Sequence, residues 1–164
     1  MPFNSVNPAT EEEMDEYPLD SNNDVQNKLQ KSQMAFAEWQ ETPFAERSKK
    51  MQQVAEALRD KKERWAEIMT REMGKPISEA RSEAEKCAWV CDYYAENARE
   101  FLQDDVIGTD ADKSYVRYEP LGAILAIMPW NFPFWQVFRH AAPGLMAGNV
   151  ILLKHAPNVS GCAD

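Results

Sequence analysis

Apolar residues recur at intervals of three and four along the first two thirds of the chain, from Asp24 onward. This spacing places side chains on one face of a helix and predicts four successive helices. Asp24 is the expected N-cap of the first helix and Pro43 its end. The third should stop at the Gly-Lys-Pro of residues 74–76, because glycine accepts the left-handed turn and proline blocks continuation. The four stripes comprise Val25, Leu29, Ser32, Phe36 and Trp39; Met51, Val54, Ala55 and Leu58; Trp65, Ile68 and Met69; and Ile77, Ala80, Ala84, Cys87, Cys91, Tyr94, Ala98 and Phe101.

The alanine-rich stripe of the fourth helix predicts close packing, with its aromatic residues in the core rather than on a ligand. Before the helices, residues 1–23 are rich in Asn, Pro and acidic side chains, which favours an extended, turn-rich lead-in. No internal repeat is present, and the whole length suits one domain or one domain and a small part of another.

The hydrophobic period changes after Gln103. Residues 104–113 are polar and loop-like, and residues 114–118 alternate as a half-exposed strand does. Residues 121–128 are nearly all apolar, which predicts a strand covered on both faces, as in parallel sheets. A helix is expected over residues 133–147, bent or shortened by Pro143, and a second buried strand over residues 150–153. This strand–helix–strand order predicts one βαβ unit with a right-handed crossover.

Ligands of parallel α/β sheets bind beyond the carboxyl ends of the strands. Two segments stand there: Pro-Trp-Asn-Phe-Pro at residues 129–133, and Lys-His-Ala-Pro at residues 154–157. We therefore expect Asn131 and Lys154 to lie on one edge of the sheet. From the residues alone two other interpretations stay open: Asn131 forms a turn, and Lys154 extends from a buried strand to solvent.

Composition narrows the classes of partner. The chain has 18 Lys and Arg against 27 Asp and Glu, a formal net charge of −9, which disfavours nucleic acid and anionic membranes as partners. No apolar run approaches the roughly 18 residues of a membrane span. The first residues lack the basic and apolar regions of a secretory signal, and the three cysteines show no framework spacing. A cytoplasmic location is therefore expected.

Several motifs resemble the aldehyde dehydrogenase superfamily in order and spacing. The diagnostic one is Pro-Trp-Asn-Phe-Pro at residues 129–133, flanked by Tyr-Glu-Pro-Leu-Gly at 118–122 and Ala-Gly-Asn-Val at 147–150. Asn-Pro-Ala-Thr at 7–10 and Glu-Met-Gly-Lys-Pro at 72–76 also fit, so the resemblance covers essentially the whole chain. The sequence of residues 154–163 is most similar to that of the succinate-semialdehyde dehydrogenase branch.

The resemblance implies an α/β fold: an N-terminal helical layer plus part of a Rossmann-like parallel sheet, incomplete in this chain. It divides the chain into residues 1–101, the helical part of the cofactor-binding domain; residues 102–120, part of an oligomerisation hairpin; and residues 121–164, the first βαβ unit. It also implies a homo-oligomer for the full-length protein, whose sheet is completed by another subunit and by later parts of the chain.

The family oxidises aldehydes to acids with NAD or NADP: a Cys thiolate attacks the aldehyde, hydride passes to the nicotinamide, and a Glu-activated water hydrolyses the thioester. The resemblance assigns Asn131 to the oxyanion hole and Lys154 to the adenosine ribose. Pro157 stands where many NAD-preferring members carry Glu, so the choice of cofactor is expected to be permissive or to lean to NADP. Trp130 and, through its backbone, Ile127 are further candidates for the cofactor cleft, although both suit the sheet core equally well.

The chain lacks the segments that the resemblance assigns to the nucleophilic Cys, the general-base Glu and the pyrophosphate-binding turn. By motif, none of Cys87, Cys91 and Cys162 is the nucleophile. Cys87 and Cys91 lie one helical turn apart and could be metal ligands, but buried inert thiols are favoured and no metal site is expected. A packing role is expected for Cys162, and the 164-residue segment alone should be inactive.

The histidines and one arginine have minor expected roles. His140 and His155 are interpreted as structural or surface residues, with His155 also a candidate for the edge of the cofactor site. Arg139 could receive an acid-terminated substrate, but a solvent-facing position is favoured. The leading hypothesis is oxidation of an aldehyde, succinate semialdehyde being the one indicated. The alternatives are another aldehyde and a non-catalytic nucleotide-binding or interaction module.

Overall fold

Four long helices account for most of the first hundred residues of the computed structural model, which describes residues 2–164. They are α1 (Asn22–Trp39), α2 (Phe44–Asp60), α3 (Lys62–Met73) and α4 (Ile77–Phe101). The four helices predicted from periodicity are confirmed. Helix α3 ends at Gly74 with φ of 72°, the left-handed conformation expected of a glycine in that position.

The start of α1 differs from the expectation. Ser21, not Asp24, is the N-cap: its hydroxyl accepts the N–H of Asp24 at 3.2 Å, and the Asp24 carboxylate accepts the N–H of Ser21 at 2.9 Å. This reciprocal pair is a capping box with aspartate in the third helical position, so the acidic residue belongs to the first turn rather than to the cap. At the other end, Trp39 Nε1 donates to the Leu145 carbonyl at 2.8 Å, which fixes α1 against the later part of the chain.

The lead-in is a pair of strands rather than an unpaired extended segment. Strand β1 (Phe3–Val6) pairs antiparallel with β2 (Glu13–Tyr17), with an irregularity between Asn4 and Val6. The polar composition indicated turns but gave no alternation from which pairing could be predicted. Strand β1 also contacts α3, so the lead-in packs against the helical layer.

The core lies where α2, α3 and α4 meet the helix that follows residue 134. Helix α4 is central, and its small residues let neighbouring helices approach closely, as its alanine stripe predicted. Its fully buried positions include Ala80, Ala84, Cys87, Ala88 and Cys91.

The last sixty residues contain the predicted strand–helix–strand unit. Short strands β3 (Asp105–Val106) and β4 (Tyr115–Val116) pair antiparallel. Then β5 (Ala123–Ile127), α5 (Trp135–Met146) and β6 (Val150–Lys154) follow, with β5 and β6 parallel. The chain continues into a 3₁₀ turn (Pro157–Val159) and α6 (Ser160–Ala163).

Three details of this region correct the sequence interpretation. The segment interpreted as a loop over residues 104–113 contains β3, whose two residues are too few to give a pattern. Pro143 lies inside α5, which continues to Met146. Within residues 2–164, β5 is covered on one face only: Leu125 and Ile127 are 62% and 69% exposed, whereas Ala126 is buried. Side chains alternate across a strand, so a wholly apolar sequence does not reveal which face lacks a cover.

No helix within residues 2–164 has both the length and the apolar character needed to cross a membrane.

Candidate functional site

Strands β5 and β6 end level with each other. Ile127 and Lys154 are partners in the parallel register, and the Met128 N–H donates to the Lys154 carbonyl at 3.0 Å. Two loops leave from this common end: residues 129–134, called here the Asn131 loop, and residues 155–159, called the post-β6 loop. The structure therefore brings Asn131 and Lys154 to the same edge of the sheet.

Asn131 is exposed at this edge, and its side chain makes no hydrogen bond within residues 2–164. An Asn that serves only to form a turn usually bonds a neighbouring backbone group, so its free amide does not support that alternative. Two residues further on, Pro133 is fully buried. The loop thus exposes the Asn131 amide while its backbone is anchored two residues later by the buried Pro133.

Lys154 and Pro157 are also exposed. Of the carboxylates in residues 2–164, none lies within 4.0 Å of the Lys154 ammonium, which is therefore free to bind a ligand oxygen. Trp130 and Ile127 are 51% and 69% exposed, so within the described residues neither belongs to the sheet core, the alternative that sequence left open.

A buried carboxylate holds the end of the Asn131 loop. Oε1 of Glu83, on α4, accepts the N–H groups of Phe134 at 3.0 Å and Trp135 at 2.9 Å. These are amides at the start of α5, which have no partner within their own helix, and the positive end of the helix dipole favours an anion there. Glu83 therefore caps α5 from 51 residues away.

Lys75 completes this arrangement. Its ammonium forms an ion pair with the other oxygen of Glu83, and the two side chains are only 4% and 2% exposed. The same ammonium lies 3.8 Å from the ring centroid of Phe132, the residue next to Asn131. Pairing offsets the cost of burying both charges. The ammonium also adds a contact to the Asn131 loop through the Phe132 ring.

His155 joins the two loops. Its Nδ1 accepts the N–H of Ala156 at 2.8 Å, so that nitrogen carries no proton and Nε2 carries one. The Nε2–H then donates to the carbonyl of Pro133 at 2.8 Å. The structural role expected of His155 is thus a specific one, a link between the Asn131 loop and the post-β6 loop.

A second buried carboxylate supports the chain beyond the post-β6 loop. The two oxygens of Glu72, on α3, accept the N–H groups of Gly161 and Cys162, each at 2.8 Å. Both loops are therefore followed by a short segment that an acidic residue of the helical layer holds. Sequence reasoning missed Glu72 and Glu83, although Glu83 falls between Ala80 and Cys87 on the apolar stripe of α4.

The three cysteines are free thiols in surroundings that disfavour the thiolate. Burial raises the pKa of the Cys91 thiol to about 12, and it raises the pKa of Cys87 and Cys162 as well. Cys162 packs against the core, the role expected from sequence.

Within residues 2–164 no three His, Cys, Asp or Glu side chains are grouped so that they could hold a metal ion. Arg139 faces solvent, and His140 Nε2 is buried without a partner among the described residues.

The edge therefore combines an exposed amide, an ammonium without an internal partner and the uncharged, exposed Pro157. An amide N–H stabilises a developing oxyanion, and an ammonium binds hydroxyl or phosphate oxygens. None of the candidate residues at this edge carries a negative charge, which suits an anionic ligand such as a dinucleotide.

Comparison with known proteins identifies the family of the chain. Residues 1–163 match the model of the aldehyde dehydrogenase family. The chain belongs to this family.

Two relatives illustrate the similarity, and both are named succinate-semialdehyde dehydrogenases. A probable NADP+ succinate-semialdehyde dehydrogenase of Synechocystis sp. is 50% identical over 163 residues, which are 99% of this chain and 36% of that protein. An NAD(P)+ succinate semialdehyde dehydrogenase of Escherichia coli is 47% identical over 160 residues, 98% of this chain and 35% of that protein. The chain thus spans about a third of the length of these relatives.

The fold agrees with a solved structure as well. The crystal structure of succinic semialdehyde dehydrogenase from Streptococcus pyogenes, in complex with NADP+, superposes with a TM-score of 0.94 at 34% identity, covering 98% of this chain and 36% of that one. The α/β class and the part of a parallel sheet expected from sequence are confirmed.

Proposed function

We propose that this chain is the N-terminal part of an NAD(P)-dependent aldehyde dehydrogenase that oxidises succinate semialdehyde to the corresponding acid. The observation that carries the proposal is the shared end of β5 and β6, where Ile127 and Lys154 are paired and from which the Asn131 loop departs. The names of the relatives favour succinate semialdehyde over other aldehydes and NADP or NAD as the cofactor.

Asn131 supplies the oxyanion donor in this proposal. Attack on an aldehyde turns its carbonyl oxygen into an alkoxide, which a neutral amide N–H stabilises without giving up a proton. Asn131 suits this role because it is exposed and because no group in residues 2–164 occupies its amide. One such donor is worth about 3 kcal/mol in other enzymes.

Lys154 and Pro157 bind the adenosine end of the cofactor. The Lys154 ammonium donates to ribose oxygens, and the uncharged Pro157 leaves room for a 2′-phosphate without repulsion. Ile127, through its backbone, and Trp130 border the same cleft. The cofactor, when bound, supplies the nicotinamide that accepts the hydride.

Other parts of the reaction belong to the full-length protein. The nucleophilic Cys, the general-base Glu and the pyrophosphate-binding turn lie outside residues 1–164, so we propose that this segment alone is inactive.

The antiparallel pair β3–β4 supports the assignment of residues 102–120 to an oligomerisation hairpin, and thus a homo-oligomer. The helical part of the cofactor-binding domain is assigned to residues 1–101 and the first βαβ unit to residues 121–164. The three free cysteines favour the cytoplasm as the location of the full-length protein.

The test is the rate of NADPH formation from succinate semialdehyde by the full-length protein and by its Asn131→Ala variant. We expect kcat to fall by about 100-fold. The control is Asn97→Ala on α4, because the Asn97 amide bonds only its own helix, at the Tyr93 carbonyl. Turnover of another aldehyde in preference to succinate semialdehyde would reject the substrate, and undiminished turnover by Asn131→Ala would reject the oxyanion role.

A further inference from the structure

We propose that Glu83, paired with Lys75, is a positioning residue that sets where the amide of Asn131 lies. This inference rests on the proposed oxyanion role of Asn131. Asn131 itself has no side-chain bond within residues 2–164 that would hold it, so its placement depends on the residues that follow it.

Glu83 and Lys75 hold three of those following residues. The Lys75 ammonium lies over the ring of Phe132, and the Glu83 carboxylate accepts the N–H groups of Phe134 and Trp135. Only Pro133 stands between these contacts, and it is buried and bonded through its carbonyl to His155. The buried ion pair therefore contacts the Phe132 ring and the backbone of Phe134 and Trp135, while His155 holds Pro133.

The carboxylate suits this task because it serves two partners at once. One oxygen receives both amides while the other receives the ammonium, so neither charge is left alone in the core. An amide at position 83 could still accept the two N–H groups, whereas an aliphatic side chain could not. The pair of substitutions Gln and Leu at position 83 therefore separates the acceptor function from simple filling of space.

A shift of the Asn131 loop should affect chemistry more than cofactor binding. A donor that is misplaced by about 1 Å can lower a rate by about 100-fold, since stabilisation of an oxyanion is sharply geometric. The Lys154 ammonium is carried by β6, which Glu83 does not hold. Of the cofactor-cleft candidates only Trp130 lies in the Asn131 loop, so the KM for NADP should change much less than kcat.

The experiment uses four forms of the full-length protein: Lys75→Met/Glu83→Gln and Lys75→Met/Glu83→Leu, each with and without Asn131→Ala. Removing the Lys75 charge in every form prevents an unpaired buried ammonium from unfolding the protein. The unmodified protein and its Asn131→Ala variant provide the reference. Glu79→Gln, an exposed carboxylate one turn earlier on α4, is the matched control.

We expect the Leu form to have a kcat about 10-fold to 100-fold below that of the Gln form, with KM for NADP within about twofold. The difference should vanish when Asn131 is already Ala, because a positioning residue has nothing left to position. Equal kcat of the Gln and Leu forms would overturn the proposal. So would a difference that persists in full without Asn131, since Glu83 would then act by another route.

The result for Asn131→Ala separates failure of the oxyanion role from failure of this inference. If Asn131→Ala leaves the unmodified enzyme at full turnover, the oxyanion role fails and this inference fails with it; if that variant is impaired while the Gln and Leu forms agree, only the inference fails. Should the Leu form not fold, Glu83→Asp in the protein that keeps Lys75 replaces it, with the unmodified protein as its reference. The shorter aspartate keeps a charge for Lys75 but withdraws the oxygens from the amides. A smaller loss in kcat that again disappears without Asn131 is then expected, and an Asp variant with unchanged kcat overturns the proposal.

Discussion

The Nε2–H of His155 donates to the carbonyl of Pro133 at 2.8 Å, and this bond joins the loop that follows β6 to the loop that follows β5. The two residues are 22 positions apart in sequence and belong to different strand ends. The link is directional, because Nδ1 already accepts the Ala156 N–H and only Nε2 is left to donate. The two halves of the proposed site are therefore held together by one neutral imidazole.

Replacing His155 should separate the two loops. His155→Leu removes the donor and leaves the Pro133 carbonyl without it, which should cost about 1 kcal/mol of stability. His155→Gln retains an amide N–H that can reach the same carbonyl, so it should cost less. Thermal midpoints of the full-length variants measure this difference. Equal midpoints for Leu and Gln would show that the bond to Pro133 contributes nothing.

A larger side chain at Gly161 should disturb the packing around Glu72. A Cβ at this position would lie 2.7 Å from the Tyr17 hydroxyl and 2.8 Å from Oε1 of Glu72, closer than van der Waals contact permits. Gly161→Ala should therefore lower stability by about 1 to 3 kcal/mol. Gly108→Ala is the matched control, because a Cβ there would meet no atom within 4 Å. The expected observation is a lower thermal midpoint for the first variant only, and similar midpoints would contradict the packing described around Glu72.

Stability should fall in alkaline solution because of the buried thiols. The ordinary thiol pKa is 9.0, and burial raises the pKa of Cys91 to about 12 and that of Cys87 as well. The unfolded chain therefore loses thiol protons above pH 9.0 while the folded chain keeps them. This stabilisation is complete below that pH and is lost as pH rises toward the folded values, by at most about 1.4 kcal/mol per pH unit and thiol.

The variant Cys87→Ala/Cys91→Ala isolates this effect. Its urea midpoint should decline less than that of the unmodified protein between about pH 8 and about pH 10, because two of the linked groups are gone. Both substitutions will also change packing, so the comparison concerns the slope with pH and not the midpoint itself. Parallel slopes would mean that these thiols ionise equally in both states.

The residue at position 157 should set the cofactor preference. Pro157→Glu places a carboxylate three residues after Lys154, where it can accept from ribose hydroxyls but repels a 2′-phosphate. We expect kcat/KM for NADP to fall by about 10-fold or more while that for NAD falls less or rises. NAD is the internal control, since both cofactors are measured with the same variant. An equal effect on both would remove position 157 from cofactor selection.

Much of the fold follows from local patterns. The stripe of α4, the glycine stop after α3 and the strand–helix–strand order of residues 121–154 are each visible in short windows of sequence. The same windows place Asn131 and Lys154 at strand ends, and parallel pairing then brings those ends to one edge. These predictions succeed because helix period, capping and parallel topology depend on few neighbouring residues.

The parts that sequence reasoning missed depend on distant partners. Glu83 and Phe134 are 51 residues apart, and Glu72 and Gly161 are 89 apart, so nothing near either glutamate indicates which amides it will meet. A charged residue on a helix is usually solvated, and that expectation concealed both. The signal that could have found Glu83 is its place on the apolar stripe of α4. The pairing of β1 with β2 was missed for a different reason, since apolar and polar residues do not alternate along either strand.

Asn131 and Lys154 are proposed to serve one site at the common end of β5 and β6. The decisive measurement is a crystal structure of the full-length protein with bound NADP. We expect the Lys154 ammonium within about 3.2 Å of a ribose oxygen and Asn131 facing the nicotinamide end of the same molecule. A dinucleotide bound at another edge of the sheet, with Lys154 left in solvent, would contradict it.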